Sequence, residues 1–128
     1  MKKYLLDTHV VLWFAENSPL LSKKAINIIL DTTSEKYVSI VSAWEVAIKL
    51  ASKKLHVEGG LVEFFKIMDD NGFYTLPLER RYLPPLSTLP NHHKDPFDRL
   101  LVATAMTENM TILTVDDNIQ KYDVPSLW

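Results

Sequence analysis

The chain has 128 residues, 47% of them hydrophobic and 23% charged, which predicts one folded domain over 1–128 and excludes a largely disordered chain. It has no cysteine, which excludes disulfides and thiolate metal sites and fits a reducing cytoplasm, and no segment has the roughly 20 apolar residues of a membrane span. Its formal net charge is −2, so a polyanionic partner has to be held by a local basic patch or by bound metal ions.

Strand and helix patterns alternate along the chain. Short apolar runs predict strands at Tyr4–Leu6, Tyr37–Ile40, Phe73–Leu76 and Met110–Thr114, with a short fifth strand near Val124. Helical spacing predicts helices over Thr8–Ala15, Ser22–Leu30, Ser42–Ala51, Leu61–Met68 and Asp95–Asn109, with a helical turn at Asp116. Residues 77–90 contain four prolines, which argue against a long helix, and Pro84–Pro85 should interrupt one. This alternation predicts an α/β fold, a parallel sheet with helices on both faces.

Acidic residues from separate parts of the sequence are predicted at one end of this sheet. Asp7 ends the first strand and Asp116 closely follows the fourth. Glu45 lies in the first turn of the helix after the second strand, Asp98 lies in the first turn of the helix before the fourth, and Asp95 directly precedes that helix. Ligands of open α/β sheets bind beyond the carboxyl ends of the strands, so these acids mark a candidate site.

A cluster of this kind suits divalent-metal chemistry on a phosphate ester. Mg²⁺ and Mn²⁺ prefer hard oxygen ligands and are held by a few carboxylates together with substrate phosphates. Such a metal ion lowers the pKa of a bound water and offsets charge on the phosphorus oxygens during displacement. Without a metal ion, the clustered carboxylates would repel a phosphodiester and raise one another's pKa values.

Helix capping is the alternative interpretation for each acid taken alone. Ser42–Glu45 matches the S-x-x-E capping box, and Asp95–Asp98 matches an aspartate N-cap followed by proline. Asp7 and Asp116 also stand where N-caps are expected. The shared location of the acids on the predicted topology is what argues against four independent caps.

Four stretches resemble motifs of the PIN-domain ribonucleases, in the subgroup of VapC-like toxins. They are Leu5–Trp13, Ser42–Lys49, His93–Ala105 and Leu113–Asp116. Each match is weak alone, but the four occur in the family's order and at its spacing along nearly the whole chain. The resemblance implies a three-layer α/β/α PIN-like domain with a parallel sheet of about five strands.

The resemblance also implies a Mg²⁺- or Mn²⁺-dependent endoribonuclease that cuts RNA, and an antitoxin protein that blocks its site; it is compatible with a homodimer and implies no membrane. It places the catalytic, metal-binding acids on Asp7, Glu45, Asp98 and Asp116. Asp95 is commonly acidic in the subgroup and would support this site. Asp117 is adjacent to Asp116, but Asp116 occupies the family's acid position after Leu113–Val115.

Further polar residues are candidates for orienting the acids or for contacting substrate. Lys49 follows Glu45 by one helical turn, so an ion pair and a phosphate contact are both open. Arg99 and Thr114 stand next to or near the predicted acids. His9, His92 and His93 are not expected to act directly, because a metal ion can generate hydroxide without them.

Two alternative functions remain to be weighed against the nuclease. A receiver-like domain phosphorylated on aspartate would need neighbouring acids after the first strand and a lysine after the last one. Here Thr8 follows Asp7, and Lys121 stands at a doubtful position. A catalytically inert binding module is the other alternative, and the presence of all four acids gives no sign of it.

Overall fold

The computed structural model describes all residues 1–128. Five strands form one sheet in the order β3-β2-β1-β4-β5, and every pairing is parallel. The strands are β1 Lys3–Leu6, β2 Glu35–Ser39, β3 Tyr74–Leu76, β4 Thr111–Leu113 and β5 Ser126–Leu127. The predicted α/β class with a five-stranded parallel sheet is therefore confirmed.

Seven α-helices and one 3₁₀ turn connect the strands. The helices are α1 Thr8–Ala15, α2 Lys23–Leu30, α3 Ile40–Ala51, α4 Gly60–Asp70, α5 Leu83–Thr88, α6 Pro96–Glu108 and α7 Asp117–Gln120, and the 3₁₀ turn is Arg80–Tyr82. None of these helices has both the length and the apolar character that crossing a bilayer requires.

Two hydrophobic cores lie on opposite faces of the sheet. Leu6 belongs to a cluster that includes Val10 of α1 and Val46 of α3. Its neighbour Leu5 belongs to a second cluster with Val102 of α6. Because successive side chains of a strand point to opposite faces, this division places helices on both sides of β1. The carboxyl end of β1 is thereby fixed between two packed layers.

Local signals explain several helix boundaries. Ser22 caps α2, since its hydroxyl accepts the Ala25 N–H at 3.0 Å. Helix α6 has an aspartate cap followed by proline, and it ends at Asn109 in the left-handed conformation. Gly59 precedes α4 with a φ of +80°, and a Cβ there would approach Glu63 Cβ to 2.7 Å. Only glycine fits that position without a shift of the helix.

Helix α3 begins earlier than the sequence predicted. Strand β2 ends at Ser39, whose hydroxyl accepts the Val41 N–H at 3.0 Å and caps the helix. Ser42 therefore lies inside the first turn and Glu45 lies in the second turn, not in the first as expected, so the alternative interpretation of Ser42–Glu45 as a capping box is wrong. Ser39 fixes the boundary because it also pairs with Leu76 of β3, so the strand must continue up to that residue.

The prolines after β3 start a helix instead of interrupting one. Pro84 and Pro85 lie in the first turn of α5, where a helix does not need their missing N–H groups. The expected break at Pro84–Pro85 is thus wrong, although residues 77–90 contain no long helix, as predicted.

Candidate metal centre

Asp7 is held at the carboxyl end of β1. Its backbone N–H donates to the Leu113 carbonyl of β4 at 3.1 Å, which continues the sheet by one residue. Its side chain is buried and does not cap α1. Instead, Asp7 Oδ2 accepts the Thr114 hydroxyl at 2.8 Å, so the capping interpretation is wrong for the Asp7 side chain. Burial raises the pKa of Asp7.

Thr114 links two of the candidate acids. It is fully buried, and while its hydroxyl donates to Asp7, the same oxygen accepts the Asp116 N–H at 3.0 Å. Asp116 Oδ1 caps α7 by accepting the Asn118 N–H at 2.8 Å. Its other oxygen, Oδ2, is directed to His93. Capping and a place in the cluster are therefore compatible for Asp116.

Glu45 enters the site from α3 and is buried. Its Oε1 accepts the hydroxyl of Thr8, at the start of α1, at 2.9 Å. Its Oε2 accepts a hydrogen bond from Lys49 Nζ at 2.9 Å, which is the ion pair, one of the two contacts that the spacing left open. This hydrogen bond raises the pKa of Lys49. A buried carboxylate with two donors is oriented before any ligand arrives.

Asp98 and Asp116 converge on one imidazole nitrogen. His93 Nε2 lies 3.0 Å from Asp98 Oδ2 and 3.1 Å from Asp116 Oδ2. One ligand atom from each of these three residues lies within 4.8 Å of the other two. Burial, followed by the negative charges of Asp7 and Asp95, raises the pKa of Asp98 to about 7. The cluster therefore carries more negative charge than its neighbouring positive charges offset.

Asp95 has the capping role expected for it. Its Oδ1 accepts the Phe97 and Asp98 N–H groups at 2.8 and 3.2 Å, so it fixes the first turn of α6. By this turn Asp95 orients Asp98 through the backbone. Asp117 is exposed and lies in the first turn of α7, outside the three-residue group.

Arg99 contacts no carboxylate. Its Nη1 donates to the carbonyls of Pro90 and His93 at 3.0 and 3.4 Å and to the Tyr122 hydroxyl at 3.1 Å. Its Nη2 reaches the Leu89 carbonyl at 3.5 Å. Arg99 therefore anchors the loop before α6, and its effect on the acids passes through that loop.

Two aromatic side chains join the helices that provide acids. Trp44 and Phe97 directly precede Glu45 and Asp98 in sequence, and their rings make an edge contact with centroids 5.3 Å apart. Trp44 is 59% exposed, so it is not a core residue. The contact holds α3 beside α6 next to the site.

Two residues of the site, His93 and Thr8, were not predicted from the sequence. His93 was not expected at the centre of the cluster, yet its ring contacts two acids. The available signal was its position two residues before the N-cap Asp95, whose N–H donates to His93 Nδ1 at 3.2 Å. Thr8 follows Asp7 and is buried, and only the fold shows that its hydroxyl meets Glu45.

The PIN domain family model matches residues 4–125 of the chain. The chain belongs to the PIN domain family. PIN nucleases generally use a divalent metal ion, and this PIN domain has an acidic cluster where its parallel strands end. No curated protein has a matching sequence.

Solved structures similar to this PIN domain include two VapBC proteins. VapBC2 from Rickettsia felis, bound to a promoter DNA fragment, is 14% identical with a TM-score of 0.75, covering 98% of this chain and 97% of that chain. VapBC-5 from Mycobacterium tuberculosis, a member of the VapBC family of toxin–antitoxin systems, is 16% identical with a TM-score of 0.64. The match covers 96% of this chain and 92% of that chain. The PIN domain endonuclease Utp24 is 17% identical with a TM-score of 0.52, and the match covers 92% of this chain and 74% of that chain. At these identities the likeness is one of fold.

Proposed function

We propose that this PIN domain, spanning 1–128, is a Mg²⁺- or Mn²⁺-dependent endoribonuclease and the toxin of a toxin–antitoxin pair that acts in the cytoplasm. The convergence of acids at one end of the sheet is the observation that supports it. These acids are Asp7 after β1, Glu45 on α3, Asp98 on α6 and Asp116 after β4. Family membership supports nucleic-acid hydrolysis, and similar folds in toxin–antitoxin complexes support the toxin assignment.

The donor set fits the proposed metal ion. Carboxylate oxygens are the ligands that Mg²⁺ and Mn²⁺ prefer, and the deficit of positive charge around Asp98 is what a cation would relieve. When bound, the ion would lower the pKa of a water and offset charge on the phosphate oxygens. In this proposal Asp7, Glu45, Asp98 and Asp116 hold it.

The surrounding residues hold the acids in place. Thr114 orients Asp7, while Thr8 and Lys49 orient Glu45 from two sides. Preorganised ligands of this kind need little rearrangement when the substrate binds. Lys49 is partly exposed at the edge of the cluster, and besides its hydrogen bond to Glu45 the negative charges of Asp95 and Asp98 raise its pKa, so we propose that it also contacts a substrate phosphate.

The two alternative functions have less support. Receiver-like sheets have the strand order 2-1-3-4-5, whereas this sheet has the order 3-2-1-4-5. A catalytically inert module would not need buried threonine hydroxyls that donate hydrogen bonds to Asp7 and to Glu45. Both observations favour the nuclease.

We propose that an antitoxin binds in the groove between α1 and α4. The groove has a volume of about 410 Å³; Leu12, Ala15 and Ile67 are among its apolar lining residues. Its acidic lining residues are Glu16, Glu58 and Glu63. Charge complementarity therefore favours an antitoxin segment that presents an apolar side chain flanked by lysine or arginine. A homodimer stays a prediction.

Cleavage of a panel of structured RNAs tests the proposed function. The parent should cut at least one RNA with Mg²⁺ or Mn²⁺ and none in excess EDTA. Asp7→Asn keeps the shape of the side chain but removes its charge, so it should abolish cleavage. Asp69→Asn, at an exposed position of α4, is the matched control and should cut like the parent. Equal activity of Asp7→Asn and the parent in Mn²⁺ would exclude the proposal.

A further inference from the structure

His93 lies between two of the proposed metal ligands and contacts both of them. Its side chain is 16% exposed, and Nε2 is within hydrogen-bond distance of both Asp98 Oδ2 and Asp116 Oδ2. One nitrogen therefore faces two carboxylates that come from different elements of the fold, α6 and the loop after β4.

The hydrogen-bond network assigns the tautomer of this ring. The Asp95 N–H donates to His93 Nδ1 at a distance of 3.2 Å, so Nδ1 is the acceptor. A neutral imidazole has one donor and one acceptor nitrogen, which leaves the proton on Nε2. A protonated nitrogen cannot coordinate a metal ion. His93 therefore serves as a donor to the two acids and not as a metal ligand.

The backbone of His93 is anchored as well as its ring. The His93 N–H donates to the Tyr122 hydroxyl at 2.9 Å, and Arg99 donates both to the His93 carbonyl and to the same hydroxyl. Tyr122 is only 4% exposed, so the anchor is part of the second core. These contacts leave the imidazole little freedom to turn away from the acids.

We propose that His93 is a positioning residue whose Nε2–H holds Asp98 and Asp116 at the spacing that a divalent cation needs. The inference rests on the proposed function, since the cation is the one proposed there. Two carboxylates this close repel each other, and a shared donor offsets that repulsion. Without the donor, the two oxygens would move apart before the cation arrives.

Two substitutions of His93 separate this role from bulk packing. His93→Gln keeps an N–H donor at a similar reach, while His93→Leu keeps an apolar side chain of comparable size without a donor. His56→Gln is the control, because the His56 side chain is 87% exposed. Asp98→Asn serves as the reference for loss of a proposed metal ligand.

Mn²⁺ affinity, measured by electron paramagnetic resonance titration, is the first readout. His93→Leu should weaken binding about 10- to 100-fold, the range found for residues that orient metal ligands. His93→Gln should stay within about threefold of the parent, because the donor remains. Parent-like binding by His93→Leu, or an equal loss in both variants, would overturn the inference.

Two measurements on the unsubstituted protein complete the test. Nitrogen-15 NMR of the metal-free chain should show the His93 proton on Nε2, and a proton on Nδ1 alone would overturn the inference even if the variants failed to fold. Pulsed resonance of the Mn²⁺ complex should show no directly coordinated imidazole nitrogen, and such a nitrogen would overturn it too. If Asp98→Asn binds Mn²⁺ like the parent, or the parent binds none, the proposed function itself fails. If Asp98→Asn loses Mn²⁺ affinity and His93→Leu does not, only the role of His93 is contradicted.

Discussion

Thr114 donates its buried hydroxyl to Asp7 across the neighbouring strand ends of β4 and β1, at an oxygen–oxygen distance of 2.8 Å. The two residues are 107 positions apart in sequence. Because Thr114 also accepts the Asp116 N–H, one hydroxyl sets the relation between the first and the last acid of the cluster. The geometry of the candidate site is thus built into the centre of the sheet.

Thr114→Val should destabilise the protein by roughly 1–3 kcal/mol, since it leaves buried polar groups of Asp7 and Asp116 without their partner. Chemical denaturation in EDTA measures this change in the free energy of unfolding. Thr114→Ser retains the hydroxyl and should lose much less. A valine variant as stable as the parent would show that the hydroxyl does not hold these two residues.

The stability of the metal-free protein should depend on pH through Asp98. Its pKa rises from 3.8 to about 7 on folding, so the native state holds the Asp98 proton more tightly than the unfolded chain does. Stability from this group is therefore present at low pH and is lost as the pH rises towards 7. Asp98→Asn has no ionisable group at this position, so its stability does not fall with pH for this reason.

Melting temperatures of the parent and of Asp98→Asn, recorded in EDTA between about pH 5 and about pH 8, measure the effect. This pH range extends about one unit above the raised pKa of Asp98. The difference between the two proteins should move in favour of the variant as the pH rises. Asp7 also has a raised pKa, and because its negative charge acts on Asp98, part of the difference arises from the interaction of the two carboxylates. A difference that is constant with pH would show that folding does not raise the pKa of Asp98.

Glu45→Gln should reduce metal affinity more than it reduces the melting temperature. The amide can still accept from Lys49 and can donate to the Thr8 oxygen, so the local contacts survive while the charge is lost. Mn²⁺ titration and thermal melts of the same samples compare the two effects. Glu58→Gln, at an exposed position, is the control. A large loss of stability with unchanged affinity would assign Glu45 a purely structural role.

Arg99→Lys should loosen the loop before α6 while the fold is retained. Lysine has one point of contact, whereas Arg99 reaches the Pro90 and His93 carbonyls and the Tyr122 hydroxyl together. Hydrogen exchange over 89–94 should become faster, and Mn²⁺ affinity should fall. Arg80→Lys, at an exposed position, serves as the comparison. Unchanged exchange in Arg99→Lys would mean that the loop is held by other contacts.

The parts of the fold that depend on local signals were predicted from sequence. The apolar run before Asp7 predicted β1, and the Asp95–Pro96 pair predicted the start of α6. The rule that ligands bind at the carboxyl ends of parallel strands pointed to the four acids together with Asp95, and the resemblance to PIN-domain ribonucleases selected the four. The structure brings Asp98 and Asp116 together on His93 and places the charge of Asp7 close enough to raise the pKa of Asp98.

What sequence could not supply depends on distant contacts. Ser39 and Ser42 are equally good helix caps locally, and the pairing of Ser39 with β3 decides between them. The partners of Glu45 and Asp7 are hydroxyls that come from other elements. The place of His93 depends on Tyr122, which lies 29 residues away. No periodicity of the sequence records such pairs.

An anomalous diffraction map from crystals of the protein grown with Mn²⁺ tests the proposed metal site directly. A peak is expected among Asp7, Glu45, Asp98 and Asp116, about 2.0–2.2 Å from at least two of their carboxylate oxygens. A map with no peak at this end of the sheet, although Mn²⁺ supports RNA cleavage in the same solution, would contradict the proposed metal site.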